Sequence, residues 1–312
     1  MEQLMEIRNL RKSFGDKEVV KGINFQVMSG EILCILGPNG AGKSTTIHLM
    51  TAALRKDGGE IRYKGQPIGD NLRRYKRSLG IVPQDIALYE ELSAEANIRF
   101  FVSLYGLSGE KRNRAVDEAL AFTGLEDRRK DKVKTFSGGM KRRLNIACAI
   151  AHRPEIIIMD EPTVGIDPQS RNHILRSIQE LRKNGMSVIY TTHYMEEVEV
   201  ISDRIIILDH GVILAEGTKE SLKEAIANER RYRIEVEENG GVSDKDFFAI
   251  EGVRNVKTDG NTIEITSLKG VENLDRIISL LSDNGERIVN ITSESASLEM
   301  VFLKLTGRKL RD

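Results

Sequence analysis

The sequence predicts an α/β protein, built around a mostly parallel β-sheet and followed by a smaller α+β region. Short, strongly apolar runs alternate with helical patterns through the first 217 residues, as in sheets whose two faces are covered by helices. One of these runs leads into a glycine-rich turn and then a helical pattern. The pattern of strands and helices restarts beyond a charged segment near residue 220. Because 312 residues exceed the usual size of one domain, we expect one large domain and one small one.

The elements of the large domain follow from apolar periodicity. Alternating or continuous apolar runs predict strands at 5–10, 19–27, 31–36, 59–63, 80–83, 155–160, 187–192, 204–209 and 212–216. Helical patterns lie at 43–53, 94–105, 111–123, 140–151, 168–183 and 194–201. The helix at 168–183 has clear limits, because Asp167 is a favourable N-cap, Pro168 suits the first turn and Gly185 follows the end. The early strands lack intervening helices, which predicts an antiparallel β subdomain, and a helix-rich insert spans about 86–151.

The second region predicts a separate small domain. The pattern gives a strand at 231–237, a short helix at 244–250, a hairpin at 253–257 and 262–266, a helix at 271–283 and a strand at 287–292. This order, βαββαβ, is that of a ferredoxin-like α+β domain, and an amphipathic helix at 298–305 follows it. We therefore predict a first domain at 1–218, a charged helical linker at 219–229 and an accessory domain at 230–312. The accessory domain would serve dimerisation or regulation, and a purely stabilising role is the alternative.

Charge and cysteine content narrow the class of function. Lys and Arg together number 47, as do Asp and Glu, so no net field draws the chain to nucleic acid or to an anionic membrane. We interpret the basic runs 73–77 and 141–143 as solvated helix faces. Cys34 and Cys148 lie in apolar periodic segments, which predicts buried thiols and suits a reducing cytosol. The N-terminus lacks a signal-peptide pattern, and the apolar runs fall well short of the ~20 residues that a membrane helix needs.

The glycine-rich turn has the composition of a phosphate-binding loop. It follows the apolar run 32–36 and has the pattern Gly-x-x-x-x-Gly-Lys-Ser/Thr. Its residues are Gly37, Pro38, Asn39, Gly40, Ala41, Gly42, Lys43, Ser44 and Thr45. The glycines let successive N–H groups point inward, and the new helix N-terminus adds partial positive charge. Lys43 can reach the β- and γ-phosphates of a nucleotide, and Ser44 can bind Mg²⁺.

Further polar residues decide among kinases, GTPases and ATPases. Asp160 and Glu161 end an apolar strand, and adjacent residues at a strand end point in different directions. Asp160 can therefore contribute to a Mg²⁺ shell while Glu161 faces an attacking water. His193 follows the strand at 187–192, where side chains reach the ligand crevice of an open α/β sheet. Gln84, after the strand at 80–83, can bind Mg²⁺ or orient water through its amide.

A second anion site precedes the helix at 140–151. Ser137, Gly138 and Gly139 place a hydroxyl and two glycines before this helix, so that backbone N–H groups and the helix dipole face a ligand. Two phosphate-binding elements in one chain indicate a shared site. The sequence shows no motif for a separate phosphate-acceptor site, which argues against a kinase.

In this order and spacing, these residues make the chain resemble the ATP-binding subunits of ABC transporters over nearly all of residues 1–217. The resemblance implies a P-loop NTPase core with an antiparallel β subdomain and a helical insert. It also implies hydrolysis of ATP with Mg²⁺, with Glu161 as catalytic base and His193 as the switch histidine. Ser44, Gln84 and Asp160 match the residues that hold Mg²⁺. Phe14 matches the aromatic residue that stacks on adenine. The other positions that match nucleotide contacts are the Walker A residues 37–45, Gln84 of the Q-loop, the signature residues Ser137, Gly138 and Gly139, and Asp167 of the D-loop.

The signature departs from the commonest form, Leu-Ser-Gly-Gly-Gln, at Phe136 and Met140. Because the serine and both glycines remain, we expect its contact with the γ-phosphate to be kept. The family arrangement implies a head-to-tail homodimer around two ATP molecules, in which Walker A of one protomer faces the signature of the other.

The resemblance further implies a separate transmembrane permease and a location at the cytoplasmic face of the cell membrane. Residues 297–307 resemble the tail of a bacterial subgroup associated with drug, antibiotic, lipid or polysaccharide export, which favours an exporter. The alternative is a soluble ABC ATPase that is not coupled to transport and works on nucleic acid or ribosomes. Such proteins usually carry two nucleotide-binding domains, whereas this chain has one Walker A, so no nucleic acid is expected. A further alternative is a regulatory module that binds ATP without hydrolysing it. The presence of both Glu161 and His193 argues against this alternative, because binding alone would not require them.

Overall fold

The computed structural model describes residues 2–226, 229–237, 242–294 and 297–307. The described residues divide into two compact units, one up to Lys219 and one that begins at Glu220. The helix Lys219–Ile226 begins at that division. In the described part of the chain, no helix is both long enough and apolar enough to cross a membrane.

Within its described residues, the first unit contains ten strands, seven complete α-helices and two short 3₁₀ helices, Glu126–Arg128 and Val133–Thr135. The strands are β1 (Gln3–Phe14), β2 (Lys17–Met28), β3 (Ile32–Leu36), β4 (Gly58–Tyr63), β5 (Gln66–Pro67), β6 (Leu79–Val82), β7 (Ile156–Asp160), β8 (Ser187–Thr192), β9 (Arg204–Asp209) and β10 (Val212–Gly217). The helices are α1 (Lys43–Met50), α2 (Leu72–Arg77), α3 (Ala94–Leu104), α4 (Gly109–Thr123), α5 (Gly138–Ile150), α6 (Pro168–Lys183) and α7 (Met195–Ile201), and α8 (Lys219–Ile226) follows.

A six-stranded sheet forms the centre of this unit, in the order β10-β9-β3-β8-β7-β6. Five of its strands are parallel, and β10 pairs with β9 antiparallel. Strands β3, β7 and β8 are buried along their whole length, as continuous apolar runs predict. The carboxyl ends of β3, β8 and β7 therefore lie side by side at one edge of the sheet.

A second sheet, in the order β2-β1-β4-β5, is antiparallel throughout and confirms the predicted β subdomain. The prediction missed β5 and α2. Strand β5 has two residues, and α2 buries Tyr75 alone in a run of basic residues, so neither carries a periodic apolar signal. Tyr75 anchors α2 by donating a hydrogen bond to the Met50 carbonyl at 2.5 Å.

The helical insert has an apolar core of its own. Helices α3, α4 and α5 pack their apolar faces together, and this cluster is distinct from the one beneath the two sheets. Cys34 and Cys148 are free and buried, as predicted. Asp167 caps α6 as expected, because its side chain accepts a hydrogen bond from the Ser170 N–H and Pro168 occupies the first turn.

The second unit contains one antiparallel sheet in the order β12-β13-β11-β14. Its elements are β11 (Glu229–Val236), α9 (Asp244–Phe247), β12 (Val253–Asp259), β13 (Thr262–Leu268), α10 (Leu274–Asp283), β14 (Ile288–Glu294) and α11 (Leu298–Thr306). Helix α9 is shorter than predicted, and α10 begins three residues later than predicted. The side chain of Asn273, the N-cap of α10, donates to Glu251 O and Ser267 Oγ and so holds the preceding segment against the sheet.

Candidate active site

The phosphate-binding loop runs from the end of β3 to the start of α1. Gly40 and Gly42 have φ values of +80° and +105°, in the left-handed region that favours glycine. A Cβ added at Gly37 would lie 2.2 Å from the carbonyl oxygen of Leu208, so the loop approaches β9 too closely for a side chain. The Gly211 N–H also donates to Ala41 O at 2.9 Å, which fixes the loop from the β9–β10 turn.

Lys43 begins α1 and is 4% exposed. Its Nζ donates to Gly37 O at 2.7 Å and to Pro38 O at 3.1 Å. The same ammonium group lies 2.9 Å from Glu161 Oε1. The side chain of Lys43 therefore folds back onto the loop, and its charge neutralises the Glu161 carboxylate just after β7.

Glu161 also contacts the end of β8, because its Oε2 lies 3.0 Å from His193 Nδ1. The φ of Glu161, +44°, lies in the left-handed region. Thr191 links the two acidic residues: its hydroxyl donates to Asp160 Oδ1 at 2.5 Å and accepts from the backbone N–H of Glu161 at 3.0 Å. Three strand ends thus bring a lysine, a glutamate and a histidine into one contact chain.

The signature residues lie at the N-terminus of α5. Ser137 is the N-cap and accepts a hydrogen bond from the Met140 N–H at 3.3 Å, while its neighbour Gly138 is exposed. A Cβ on Gly139 would lie 2.1 Å from Ser170 Oγ, so α5 begins in close contact with the start of α6. The hydrogen bond from the Ser170 N–H lowers the pKa of the capping carboxylate, Asp167. Among the described residues, no hydrogen bond or ion pair joins 137–139 to the loop 37–45.

Two predicted residues lie apart from this contact chain. Phe14 is at the end of β1, half exposed, with Lys12 Nζ 5.5 Å from its ring centroid. Gln84 follows β6 and is exposed, and its backbone carbonyl accepts a hydrogen bond from Arg142 at 2.5 Å.

The interpretation of 141–143 as a solvated face is wrong for Arg142. This residue is 3% exposed, and its guanidinium donates to Pro83 O at 2.6 Å as well as to Gln84 O. Burial lowers its pKa. Arg142 therefore ties the signature helix to the Q-loop backbone, a role that a basic run in the sequence does not reveal.

The loop and its surroundings fit a nucleotide with Mg²⁺. Gly40 and Gly42 hold the loop in a backbone conformation that other residues rarely adopt, and Ser44, Gln84 and Asp160 offer hydroxyl, amide and carboxylate oxygens, the ligands that Mg²⁺ prefers. The part of the chain that the structure describes has no cluster of three His, Cys, Asp or Glu residues suited to a metal ion. The fold and the site define a P-loop nucleoside triphosphatase.

Comparison with known proteins identifies the family. Residues 20–164 match the family model for ABC transporters. The chain is 44% identical to the linearmycin resistance ATP-binding protein of Bacillus subtilis (strain 168), over 99% of this chain and all of that protein. It is 35% identical to a Nod factor export ATP-binding protein of Rhizobium sp. (strain N33), over 98% of each. The chain belongs to the family of ABC transporter ATP-binding proteins.

Solved structures agree with this assignment. An ATP-binding subunit of an ABC transporter is 32% identical, with a TM-score of 0.65, over 71% of this chain and 92% of that one. An ATP-binding cassette in a dimeric post-hydrolysis state with ADP and Pi is 28% identical, with a TM-score of 0.63, over 69% of this chain and 98% of that one. The predicted resemblance is confirmed. The protein is an ATPase that binds ATP with Mg²⁺ and works with a separate membrane permease.

Proposed function

We propose that this protein hydrolyses ATP to power a membrane exporter, and that Lys43, Glu161 and His193 form the centre of the site. The observation that carries the proposal is the continuous contact from Lys43 Nζ through both Glu161 oxygens to His193 Nδ1, at 2.9 and 3.0 Å. Side chains of these three types can neutralise phosphate charge, polarise water and fix the attacked phosphate.

Each predicted residue then has a role toward the nucleotide. Phe14 is exposed enough to stack on adenine, and the N–H groups of the loop cradle the phosphates. Lys43 exchanges its contact with Glu161 for one with the β- and γ-phosphates. The residues proposed to bind nucleotide are Phe14, Gly37, Pro38, Asn39, Gly40, Ala41, Gly42, Lys43, Ser44, Thr45, Gln84, Ser137, Gly138, Gly139 and Asp167.

Ser44, Gln84 and Asp160 would hold Mg²⁺, which supplies charge neutralisation at the phosphate oxygens. Asp160 is 5% exposed, and the Thr191 hydroxyl fixes one of its oxygens, so its carboxylate is oriented in advance. Glu161 accepts a proton from the attacking water, and His193 holds that carboxylate in place through its Nδ1 contact.

We propose that the complete site needs two copies of the chain. Ser137 and Gly138 are exposed at the start of α5, with backbone N–H groups unused by α5 itself. Asp167 lies beside them, at the start of α6. These groups suit the γ-phosphate of an ATP held by the partner's loop, in a head-to-tail dimer.

The direction of transport is proposed from the relatives. One relative is named for linearmycin resistance and others for Nod factor export, and both names fit removal of a compound from the cell. We therefore propose an exporter, with this subunit bound to its permease at the cytoplasmic face of the membrane. A soluble ATPase uncoupled from transport is the disfavoured alternative.

We propose that the permease contacts an apolar surface beside Gln84. A cavity of about 360 Å³ lies here, and its lining includes Ile81, Ala87, Leu104 and Tyr105. Leu104 is 66% exposed, and Tyr89 is half exposed with its ring edge-on to Phe100. Leu88, by contrast, packs partly into the core of the helical insert.

Replacing Tyr89 with serine should uncouple this subunit from its permease. Basal hydrolysis by the isolated chain should stay near the wild-type rate, because Tyr89 touches no proposed phosphate ligand. Stimulation of hydrolysis by the permease and co-purification of a polytopic membrane protein should both fall. ATPase assays in membranes and pull-downs from native membranes measure these changes.

Leu72→Ser is the matched control, since Leu72 is an apolar residue of similar exposure on α2. An unchanged permease response in Tyr89→Ser, or recovery of ribosomes rather than a membrane protein by the wild-type chain, would contradict the proposal.

We also propose that residues 1–218 form the ATPase domain, 219–229 a linker and 230–312 an accessory domain of ferredoxin-like type. The strand order β12-β13-β11-β14, with all neighbours antiparallel, is the order expected for a βαββαβ chain of that type. The accessory domain has its own apolar core, and we propose a role in dimerisation or regulation.

A further inference from the structure

A buried carboxylate lies behind the proposed catalytic histidine. Glu197, in the first turn of α7, is 1% exposed. Three hydroxyl groups donate to it: Thr163 at 2.6 Å, Tyr190 at 2.8 Å and Thr192 at 2.8 Å. A carboxylate removed from water costs several kcal/mol unless hydrogen bonds and a countercharge replace its hydration.

The countercharge comes from α6. Arg171 Nε lies 3.6 Å from Glu197 Oε1, and the Arg171 guanidinium lies over the ring of Tyr194 at 4.9 Å. The Tyr194 ring in turn contacts the His193 ring, with centroids 4.1 Å apart. A side chain of α6 and the ring of the residue before α7 therefore connect Glu197 to the histidine ring.

The donors to Glu197 come from the end of β8 and from the segment that follows β7. Thr192 directly precedes His193, and its hydroxyl also accepts the Tyr194 N–H at 2.9 Å, which fixes the backbone on both sides of the histidine. Thr163 lies between Glu161 and Asp167, at the start of the loop that leads to α6. One carboxylate thus joins the histidine loop to the loop that carries Asp167.

We infer that Glu197 is a positioning residue, which holds His193 and the loop 163–167 in the geometry needed for hydrolysis. The inference rests on the roles proposed above for Glu161 and His193. Glu197 itself is buried behind the strand ends and acts through Thr192 and Thr163. Rigid hydrogen bonds of this kind matter because a displacement of about 1 Å at a reacting group can cost about 100-fold in rate.

The test compares kcat and KM for ATP in variants that remove these hydrogen bonds. Glu197→Ala and Thr192→Val should each lower kcat by roughly 10- to 100-fold while KM changes little, because the loop that binds phosphate is untouched. Glu197→Gln should restore most of kcat, since its amide can accept from one threonine hydroxyl and donate to another. Glu196→Gln, at an exposed carboxylate on the same helix, is the control and should match wild type.

A structural role alone gives a different result. The variants would then lose thermal stability while the folded fraction kept the wild-type kcat, and that outcome overturns the inference. If Glu197→Ala does not fold, Thr192→Val and Thr163→Val carry the test, because valine matches threonine in shape. Suppose that turnover is lost in Glu161→Gln and His193→Ala but that kcat is normal in Thr192→Val and Thr163→Val. This result would reject the role of Glu197 and keep the proposed function. Wild-type turnover in Glu161→Gln and His193→Ala would reject the proposed roles.

Discussion

Replacing Glu161 with glutamine is expected to abolish turnover while ATP binding is kept. The amide preserves shape and the contact with His193 but cannot accept a proton from water. Removal of a general base lowers rates by roughly 10²- to 10⁴-fold. The same change removes the negative charge that lies 2.9 Å from Lys43 Nζ, so the ammonium is freed for the phosphates and ATP affinity should hold or increase. The ATP-bound dimer should therefore persist.

Steady-state hydrolysis, nucleotide titration and size-exclusion chromatography with ATP measure these effects. Glu155→Gln is the matched control, because Glu155 precedes β7 at the opposite end of the strand and pairs with Lys64 at the surface. That variant should hydrolyse ATP at close to the wild-type rate. Hydrolysis at the wild-type rate in Glu161→Gln would reject Glu161 as the base.

Replacing Lys43 with alanine should weaken ATP binding strongly. A hydrogen bond to a charged group contributes about 1.5–3 kcal/mol, which corresponds to a roughly 10- to 100-fold rise in Kd. The same substitution also removes contacts within the protein. Gly37 O and Pro38 O lose their hydrogen-bond donor, and the buried Glu161 carboxylate loses its countercharge.

Titration with a fluorescent ATP analogue measures this change, and thermal unfolding shows whether the variant is folded. Lys64→Ala removes a lysine from an exposed ion pair and should bind ATP as the wild type does, because such pairs contribute little. An unchanged Kd in folded Lys43→Ala would contradict the proposed role of the lysine.

Much of the site could be predicted from the sequence because three strands carry it to one edge. Apolar runs indicated β3, β7 and β8, and their alternation with helical patterns indicated a mostly parallel sheet, which the continuous burial of these strands confirms. Side chains just beyond neighbouring parallel strands meet at the carboxyl edge, which is where Lys43, Glu161 and His193 make contact. Short motifs and local periodicity were sufficient for this part.

The supporting residues could not be predicted in the same way. Arg142 reaches carbonyls 58 and 59 residues away in the chain, and its run of basic neighbours is typical of a solvated face. Glu197 is the second of two adjacent glutamates on a short helix, and its partners are up to 34 residues away. Long-range contacts of this kind leave no periodic signal. Tyr89 and Leu88 are adjacent in the sequence, and only the structure shows that Tyr89 is half exposed whereas Leu88 packs against the core of the helical insert.

We propose that ATP is hydrolysed where the Walker A loop of one protomer meets the signature of the other. The most direct test mixes chains that carry Lys43→Ala with chains that carry Ser137→Arg. Each variant alone has a defect in every site, whereas a mixed dimer contains one site with neither defect. We expect recovery of at most about a quarter of wild-type activity at equal mixing, since half of randomly formed dimers are mixed and each has one intact site. The recovered activity should depend on protein concentration. Two results would contradict hydrolysis at a site shared by two protomers. One is no recovery of activity from a mixture in which mixed dimers are shown to form, and the other is recovery that does not depend on protein concentration.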